Sequence, residues 1–328
     1  METFRTPLEI MPSTAKISLS DKILTVGSCF SDVIGKQLES SKMGCSVNPF
    51  GILYNAHSIH KTLSLAALKH DVPEHTFLNR NGIFLNYDFH SELSSLDLSN
   101  LQKTLRNKIE TAHDFLKKTQ WLIITYGTSF VYERNDTNEI VANCHKMPQS
   151  MFKKEILTQK KILESFGNMY EDIKSANAKI QLILTVSPVR HLKETLELNS
   201  VSKSVLRVAC HTIAEQHRDV EYFPSYEIMI DDLRDYRYYK EDMIHPSDVA
   251  EKYIWERFAQ KYFDDPLKNF LSRWREIQMA LAHKPFHPAS QDHQKFLRET
   301  IKKLGELKEF VRVDEEIAYL SSQLSADS

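Results

Sequence analysis

Three short apolar runs decide most of what this chain can fold into. Lys22 to Val26 (KILTV), Trp121 to Tyr126 (WLIITY) and Gln181 to Val186 (QLILTV) are cut off at once by Gly27, by Gly127 and by the Ser187-Pro188 pair. Their apolar residues fall on successive positions rather than alternate ones. A strand that is apolar on both faces must be covered on both faces, as in a parallel sheet held between two helical layers. Helix-period segments follow the runs. Ile34 and Leu38 stand four apart after Ser31, and Asn55 to Leu68, Ser99 to Lys118, Lys153 to Asn177 and Val201 to Gln216 read as helices. Val220 to Phe223 is a last strand, and Asp248 with Glu251 resembles a capping box for a helix reaching about Tyr262. Strands alternating with helices predict an α/β fold with a doubly wound parallel sheet. Thr76 to His90, with Asn81-Gly82 at its centre, and Val131 to Asn143, turning near Asn135 to Asn138, read as hairpins. Val47 to Gly51 is a short extended piece ending in a turn.

After Pro266 the pattern changes. Leu267 to Ala282, Gln291 to Leu304 and Glu306 to Leu324 all read as helices, with no strand between them. The expected division is an α/β domain over 1–265 and a helical C-terminal extension over 266–328. Phe270, Trp274 and Met279 recur at helical spacing and need a partner surface, because an isolated helix of that length is marginal. That surface is either the chain's own domain, roofing the mouth of the site, or a second copy; the sequence leaves the oligomeric state open.

Composition narrows the function classes. Of 328 residues, 42 are Lys or Arg and 44 are Asp or Glu, a balance that gives no electrostatic case for nucleic acid or an anionic membrane as partner. No run of about 18 apolar residues is present to span a bilayer. Met1 to Ser20 lacks the basic and apolar regions of a secretory signal, and Cys29, Cys45, Cys144 and Cys210 have no paired spacing. Reduced thiols in a cytoplasm are the expectation. No cofactor is expected. A phosphate loop ending at Gly35-Lys36 would need glycine where Phe30 stands and Ser or Thr where Gln37 stands, and no GxGxxG occurs. No metal is expected either, since adjacent Cys144 and His145 rarely ligate one ion and no second pair completes the set.

Two short segments carry the chemistry. Gly27-Ser28-Cys29-Phe30 lies where the first strand ends and a helix begins, so Ser28 is either a nucleophile beside the helix's free N–H groups or a capping serine. Cys29 is a rival nucleophile, a thiol at a helix N-terminus. Asp242 stands three residues before His245 in a loop, where a carboxylate can accept from Nδ1 and leave Nε2 to take a proton. The bland alternative is a solvated aspartate and a surface histidine. Arg190, after the third strand, could hold a carboxylate or a sugar hydroxyl, or pair with Asp231 or Asp232.

Taken together the segments resemble the GSCFA family within the SGNH hydrolase superfamily. The resemblance is carried by Gly27-Ser28-Cys29-Phe30, with Ser31 in place of the alanine, and by Asn48-Pro49-Phe50-Gly51 and Tyr126-Gly127-Thr128-Ser129. It continues through Asn143-Cys144-His145-Lys146, Ser187 to His191, the aromatic stretch Tyr222 to Tyr239, and Asp242 to Ser247. It implies a flavodoxin-like three-layer sandwich, a Ser28 nucleophile served by Asp242 and His245, and an oxyanion hole using the N–H groups of Ser28 and Gly51. Superfamily members usually add an asparagine after the strand that here ends at Tyr126. This chain has Gly127-Thr128-Ser129 there, so Thr128, Ser129 or Asn143 is the expected substitute, with His145 on the same pocket wall. The implied activity is that of a serine esterase on small-molecule or glycan esters, O-acylated carbohydrate by analogy. Acyl transfer through the same site and ligand binding without chemistry are the alternatives.

Overall fold

The computed structural model describes residues 6–324. In chain order its elements are β1 (Lys22–Gly27), α1 (Cys29–Ser40), β2 (Gly44–Val47), α2 (Ala56–Leu68), β3 (Phe77–Arg80), β4 (Ile83–Asn86) and α3 (Leu98–Leu116). There follow β5 (Trp121–Tyr126), β6 (Phe130–Arg134), β7 (Ile140–Val141), β8 (Phe152–Ile156), α4 (Gln159–Ala176), β9 (Gln181–Val186) and α5 (Leu196–Gln216). The chain closes with β10 (Val220–Tyr222), α6 (Ser225–Glu227), α7 (Asp248–Tyr262), α8 (Asp265–Ala282), α9 (Gln291–Leu307) and α10 (Asp314–Ser321).

The three apolar runs are β1, β5 and β9, the middle of a five-stranded parallel sheet in the order β2-β1-β5-β9-β10. Numbered along the chain, its strands stand 2-1-3-4-5, the flavodoxin order, which reverses direction at β1. Alternate side chains serve opposite layers. Leu24, Val26, Leu122, Ile124, Leu182 and Leu184 pack with α2 to α5. Ile23, Trp121, Ile123 and Ile183 face α1, α7 and the C-terminal helices. The result is the three-layer α/β sandwich expected from the apolar runs.

The C-terminal helices join the second layer. Leu267, Phe270, Trp274 and Ile277 of α8 are buried in the same core as Phe258 and Tyr262 of α7. The indole N–H of Trp274 and the Gln278 amide both donate to Ser40 O at the end of α1, at 2.7 and 2.9 Å. Lys42 pairs with Glu316 of α10. This docking is at the edge of the sheet where β1 and β2 begin, so these helices do not roof the mouth of the site. Met279, counted with Phe270 and Trp274, is exposed.

Several boundaries differ from the sequence reading. Gly44 to Val47 is a full edge strand. The helix expected from Lys153 starts only at Gln159, where the Thr158 hydroxyl caps Lys161 N–H, because Phe152 to Ile156 pairs antiparallel with β6. The break expected between Leu304 and Glu306 falls instead at 308–313, so α9 runs on to Leu307 and α10 begins only at Asp314. Both expected hairpins form, as β3–β4 through Asn81-Gly82 (φ 54° and 81°) and as β6–β7. Two glycines set the position of α1. Gly27 has φ 142° and lies against β5, where a Cβ would stand 2.1 Å from Thr125 O. A Cβ on Gly35 would stand 2.4 Å from a Val47 methyl, so α1 lies on β2 at the distance only a bare backbone allows.

Candidate active site

A cavity of about 390 Å³ opens at the carboxyl edge of the sheet, around the point where the strand order reverses. Four of the five strands deliver a piece of it. The turn after β1 brings Cys29, the segment after β2 brings Tyr54 and Asn55, the turn after β5 brings Thr128, and the loop after β9 brings Arg190 and His191. His245 closes the ring from the loop before α7.

The expected Asp242–His245 pair is present. His245 Nδ1 donates to Asp242 Oδ2 at 2.6 Å, and Asp242 Oδ1 accepts the N–H groups of Ile244 and His245 at 2.8 and 3.0 Å. Those bonds, the His245 N–H first, hold the Asp242 carboxyl down at about 2, so it is ionised throughout the neutral range. With Nδ1 committed, Nε2 is the nitrogen left to accept a proton. The loop reverses at Met243 (φ 57°) and is braced by Arg190. Arg190 N–H donates to Ile244 O at 3.1 Å, and its guanidinium lies 3.8 Å from the Tyr239 ring centre and reaches Met243 O at 3.3 Å. Arg190 therefore does not pair with Asp231 or Asp232: Asp231 pairs with Arg234, and Asp232 accepts from Tyr253. The aromatic 222–239 stretch packs the loop that carries the dyad.

The nucleophile corner departs from expectation. Ser28 is the N-cap residue of α1 and is wholly inaccessible, and its Oγ has no hydrogen-bond partner. The expected bond to His245 is not formed. The Ser28 N–H donates to Thr125 O at 3.0 Å and the Gly51 N–H to Asn48 O at 2.8 Å, so neither points at a substrate oxygen. Gly51 instead makes the turn (φ 76°) of a block whose Asn48 side chain ties Gly27 N–H to the Asp32 carboxylate. Ser28 and His191 both approach Gly127: a Cβ there would lie 3.2 Å from Ser28 Cβ and 3.3 Å from His191 Nε2. His191 Nε2 is likewise buried without a partner, and burial, reinforced by Lys203 and His245, holds the ring neutral with its pKa down at about 3. Cys29, the residue after Ser28, is the one that lines the cavity, half-buried. Burial, with Asp32, pushes its thiol up, while Lys203 and the N–H groups of Cys29 and Phe30 pull the other way.

Of the expected oxyanion substitutes, Thr128 and Asn143 are bonded elsewhere, and Ser129 Oγ is buried without a partner and does not line the cavity. Thr128 Oγ1 is within 3.0 Å of Ser202 Oγ and accepts Phe130 N–H, and Ser129 is wholly buried with its N–H on Ser202 Oγ. Asn143 and His145 form a lock between hairpins. The Asn143 amide donates to Ser91 Oγ, His145 Nε2 to Asn86 O at 2.7 Å, and His145 Nδ1 meets Ser91 Oγ. Neither lines the cavity.

Asn55 has the donor that they lack. It caps α2 through Oδ1, which accepts Ser58 N–H at 2.8 Å, and it is 4 % exposed on the cavity wall. Among the described residues its Nδ2 has no partner. The sequence signal was an asparagine at a helix start directly after a strand block, read only as a boundary. Lys203 was also missed. It is wholly buried and donates at 2.7 Å to both Gly127 O and Ser187 O, tying together the ends of β5 and β9. Burial pushes its ammonium down to about 7. A lysine in register with Leu206 and Cys210 on the apolar face of α5 was its signal. Among the described residues no cluster of three His, Cys, Asp or Glu could hold a metal, and no helix is long and apolar enough to cross a membrane.

The sequence pattern of the GSCFA family matches residues 22–258, and that of the GSCFA domain protein C-terminal domain matches residues 274–326. The chain belongs to the GSCFA family. No curated protein matches it. Among solved structures it is similar to a carbohydrate esterase family 3 protein from Talaromyces cellulolyticus, at 11 % identity and TM-score 0.36, over 77 % of this chain and 98 % of that one. It is also similar to a family two carbohydrate esterase from Clostridium thermocellum in complex with cellohexaose, at 17 % identity and TM-score 0.32, over 80 % of this chain and 67 % of that one. At such distances no residue role is transferred from them.

Proposed function

We propose that this cavity hydrolyses acyl esters. The observation that carries the reading is the Asp242–His245 pair, set at 2.6 Å with His245 on the wall of a cavity at the carboxyl edge of the sheet. His245 takes a proton from the nucleophile at the β1–α1 corner and returns it to the leaving alcohol, while Asp242 fixes the tautomer and offsets the charge that forms. The first turn of α1 supplies N–H groups for the developing oxyanion. Tyr54 and Tyr132 line the same cavity, with Lys193, bonded to Tyr132 Oη, and Glu194, paired with Lys154, as the polar groups beside them, and an O-acetylated sugar is the substrate class proposed.

The test is turnover of p-nitrophenyl acetate and of an acetylated sugar by the purified chain and by His245→Ala. Release of acetate that depends on His245 supports the reading. Equal rates from both proteins would remove it.

A further inference from the structure

We propose that Lys203 is a positioning residue of this site: it locks the turns after β5 and β9 together beside Ser28, and it keeps there a buried positive charge for the negative charge that the reaction makes. This rests on the ester-hydrolase reading above and adds to it a cation. Among the described residues no other lysine or arginine is buried. Its place on α5 is unusual for a helix laid on a sheet, whose inner face is expected to be apolar. That face is apolar from Leu206 through Ala209, Cys210 and Ile213, but its first turns bury Asn199, Ser202 and Lys203. Each of the three holds a loop of the site. Asn199 Oδ1 accepts His191 N–H at 2.9 Å, Ser202 Oγ accepts Ser129 N–H at 2.8 Å, and Lys203 bonds Gly127 O and Ser187 O. Gly127 is the residue that Ser28 approaches, and its own N–H is fixed on Tyr54 O at 2.8 Å.

An amide with two N–H groups would satisfy the same two carbonyls; the ammonium brings a charge as well. The groups that face it are the Cys29 thiol from α1, the neutral His191 ring from the loop after β9 and the Tyr226 ring from α6, 5.8 Å away. None is a carboxylate. Glu227, beside Tyr226, is taken by Arg207. Among the described residues no carboxylate pairs with Lys203, and an ammonium buried without a counter-ion is costly, which is why burial holds it down at about 7. The missing counter-ion arises during the reaction. The ester that enters is neutral, the carbonyl oxygen turns negative as the nucleophile adds, and the acid that leaves is a carboxylate. A charge that attracts the later states and not the first one lowers the barrier.

The experiment is p-nitrophenyl acetate hydrolysis between about pH 6 and 9 by the parent, Lys203→Gln and Lys203→Arg, counting only the turnover that His245→Ala abolishes. Lys203→Gln keeps two donors and loses the charge. It should lose on the order of 10²-fold in kcat with KM little altered, and Lys203→Arg should recover most of it. The parent's kcat/KM should fall above about pH 7 as the ammonium gives up its proton, and Lys203→Gln should lack that limb. Lys203→Gln at the parent's rate, or with the parent's limb, overturns the proposal while the ester reading stands. Nuclear magnetic resonance of the unsubstituted chain, isotope-labelled at lysine Cε, gives a second readout that needs no variant to fold. The lysine that titrates near 7 should titrate higher in saturating acetate, the probe for the anionic product. An unmoved titration overturns the proposal. A moved titration without His245-dependent turnover overturns the ester reading but keeps Lys203 as the cation of an anion site; absence of both overturns the two together.

Discussion

The two edges of the parallel sheet differ in what their polar atoms do, although Glu316 Oε2 and His293 Nε2 in the docked helices are also buried without a partner. At the amino edge, where the C-terminal helices dock, Ser40 O takes two donors, Lys42 pairs with Glu316, and the Trp121 indole N–H reaches Asp21. At the carboxyl edge Ser28 Oγ, Ser129 Oγ and His191 Nε2 are buried and unpaired, and Asn55 Nδ2 waits beside the cavity. A buried polar atom without a partner costs about 1–3 kcal/mol, so a fold tolerates a group of them only where something else is gained. The C-terminal helices dock at the amino edge, and the carboxyl edge leaves buried polar atoms unpaired around the cavity.

The contrast can be broken or sharpened by substitution. The largest effect is expected from His245→Ala, which should lower kcat/KM for an acetyl ester by about 10⁴-fold or more while leaving thermal unfolding unchanged. A residual rate near the parent's would put the chemistry elsewhere. Asn55→Asp keeps the α2 cap acceptor but removes the amide donor. It should lower kcat by roughly 10²- to 10³-fold with KM little altered, and a rate within a factor of a few of the parent's would mean that backbone N–H groups alone hold the oxyanion. Trp274→Ala tests the other edge. Removing an indole packed in a core and bonded to Ser40 should cost about 3 kcal/mol in urea unfolding, with turnover intact below the transition; lost activity in the folded variant would show that the edges are coupled.

The smallest effect on unfolding at neutral pH belongs to Lys203→Met. The folded ammonium sits near 7 instead of 10.5, so between those values the unfolded chain holds a proton that the folded chain has released. Stability from this group therefore rises with pH across that window and is flat below it. The melting temperature of the parent, relative to Lys203→Met, should climb from pH 7 towards about pH 9. Parallel curves would show that the two carbonyl bonds keep the lysine charged.

Most of the sheet was legible because β1, β5 and β9 are buried on both faces and so are apolar at every position. β2 was not, since Gly44 to Val47 is a short edge strand that is only half-buried. β8 was hidden by its own residues: Lys153, Lys154 and Glu155 favour helix, and only pairing with β6 overrides them. The Asp242–His245 pair was legible because both partners lie within one turn of chain. Which of Ser28 and Cys29 faces the cavity depends on how α1 sits over the sheet, and whether Ser129, Asn143 or Asn55 lines it depends on how the loops pack. Neither is a property of local sequence. The resemblance supplied the family and the corner, but only packing separates two adjacent residues.

The bare backbone of Gly35 has a mechanical consequence. α1 is a rod of about 18 Å whose first residue is Cys29 and whose last, Ser40, is the socket for Trp274. It is seated near its middle, where Gly35 rests on Val47. One added methyl there acts as a shim under a lever: the rod must lift or tilt, shifting the β1–α1 corner at one end and unseating the indole at the other. Gly35 thus links the cavity and the C-terminal helices mechanically, although it lines neither.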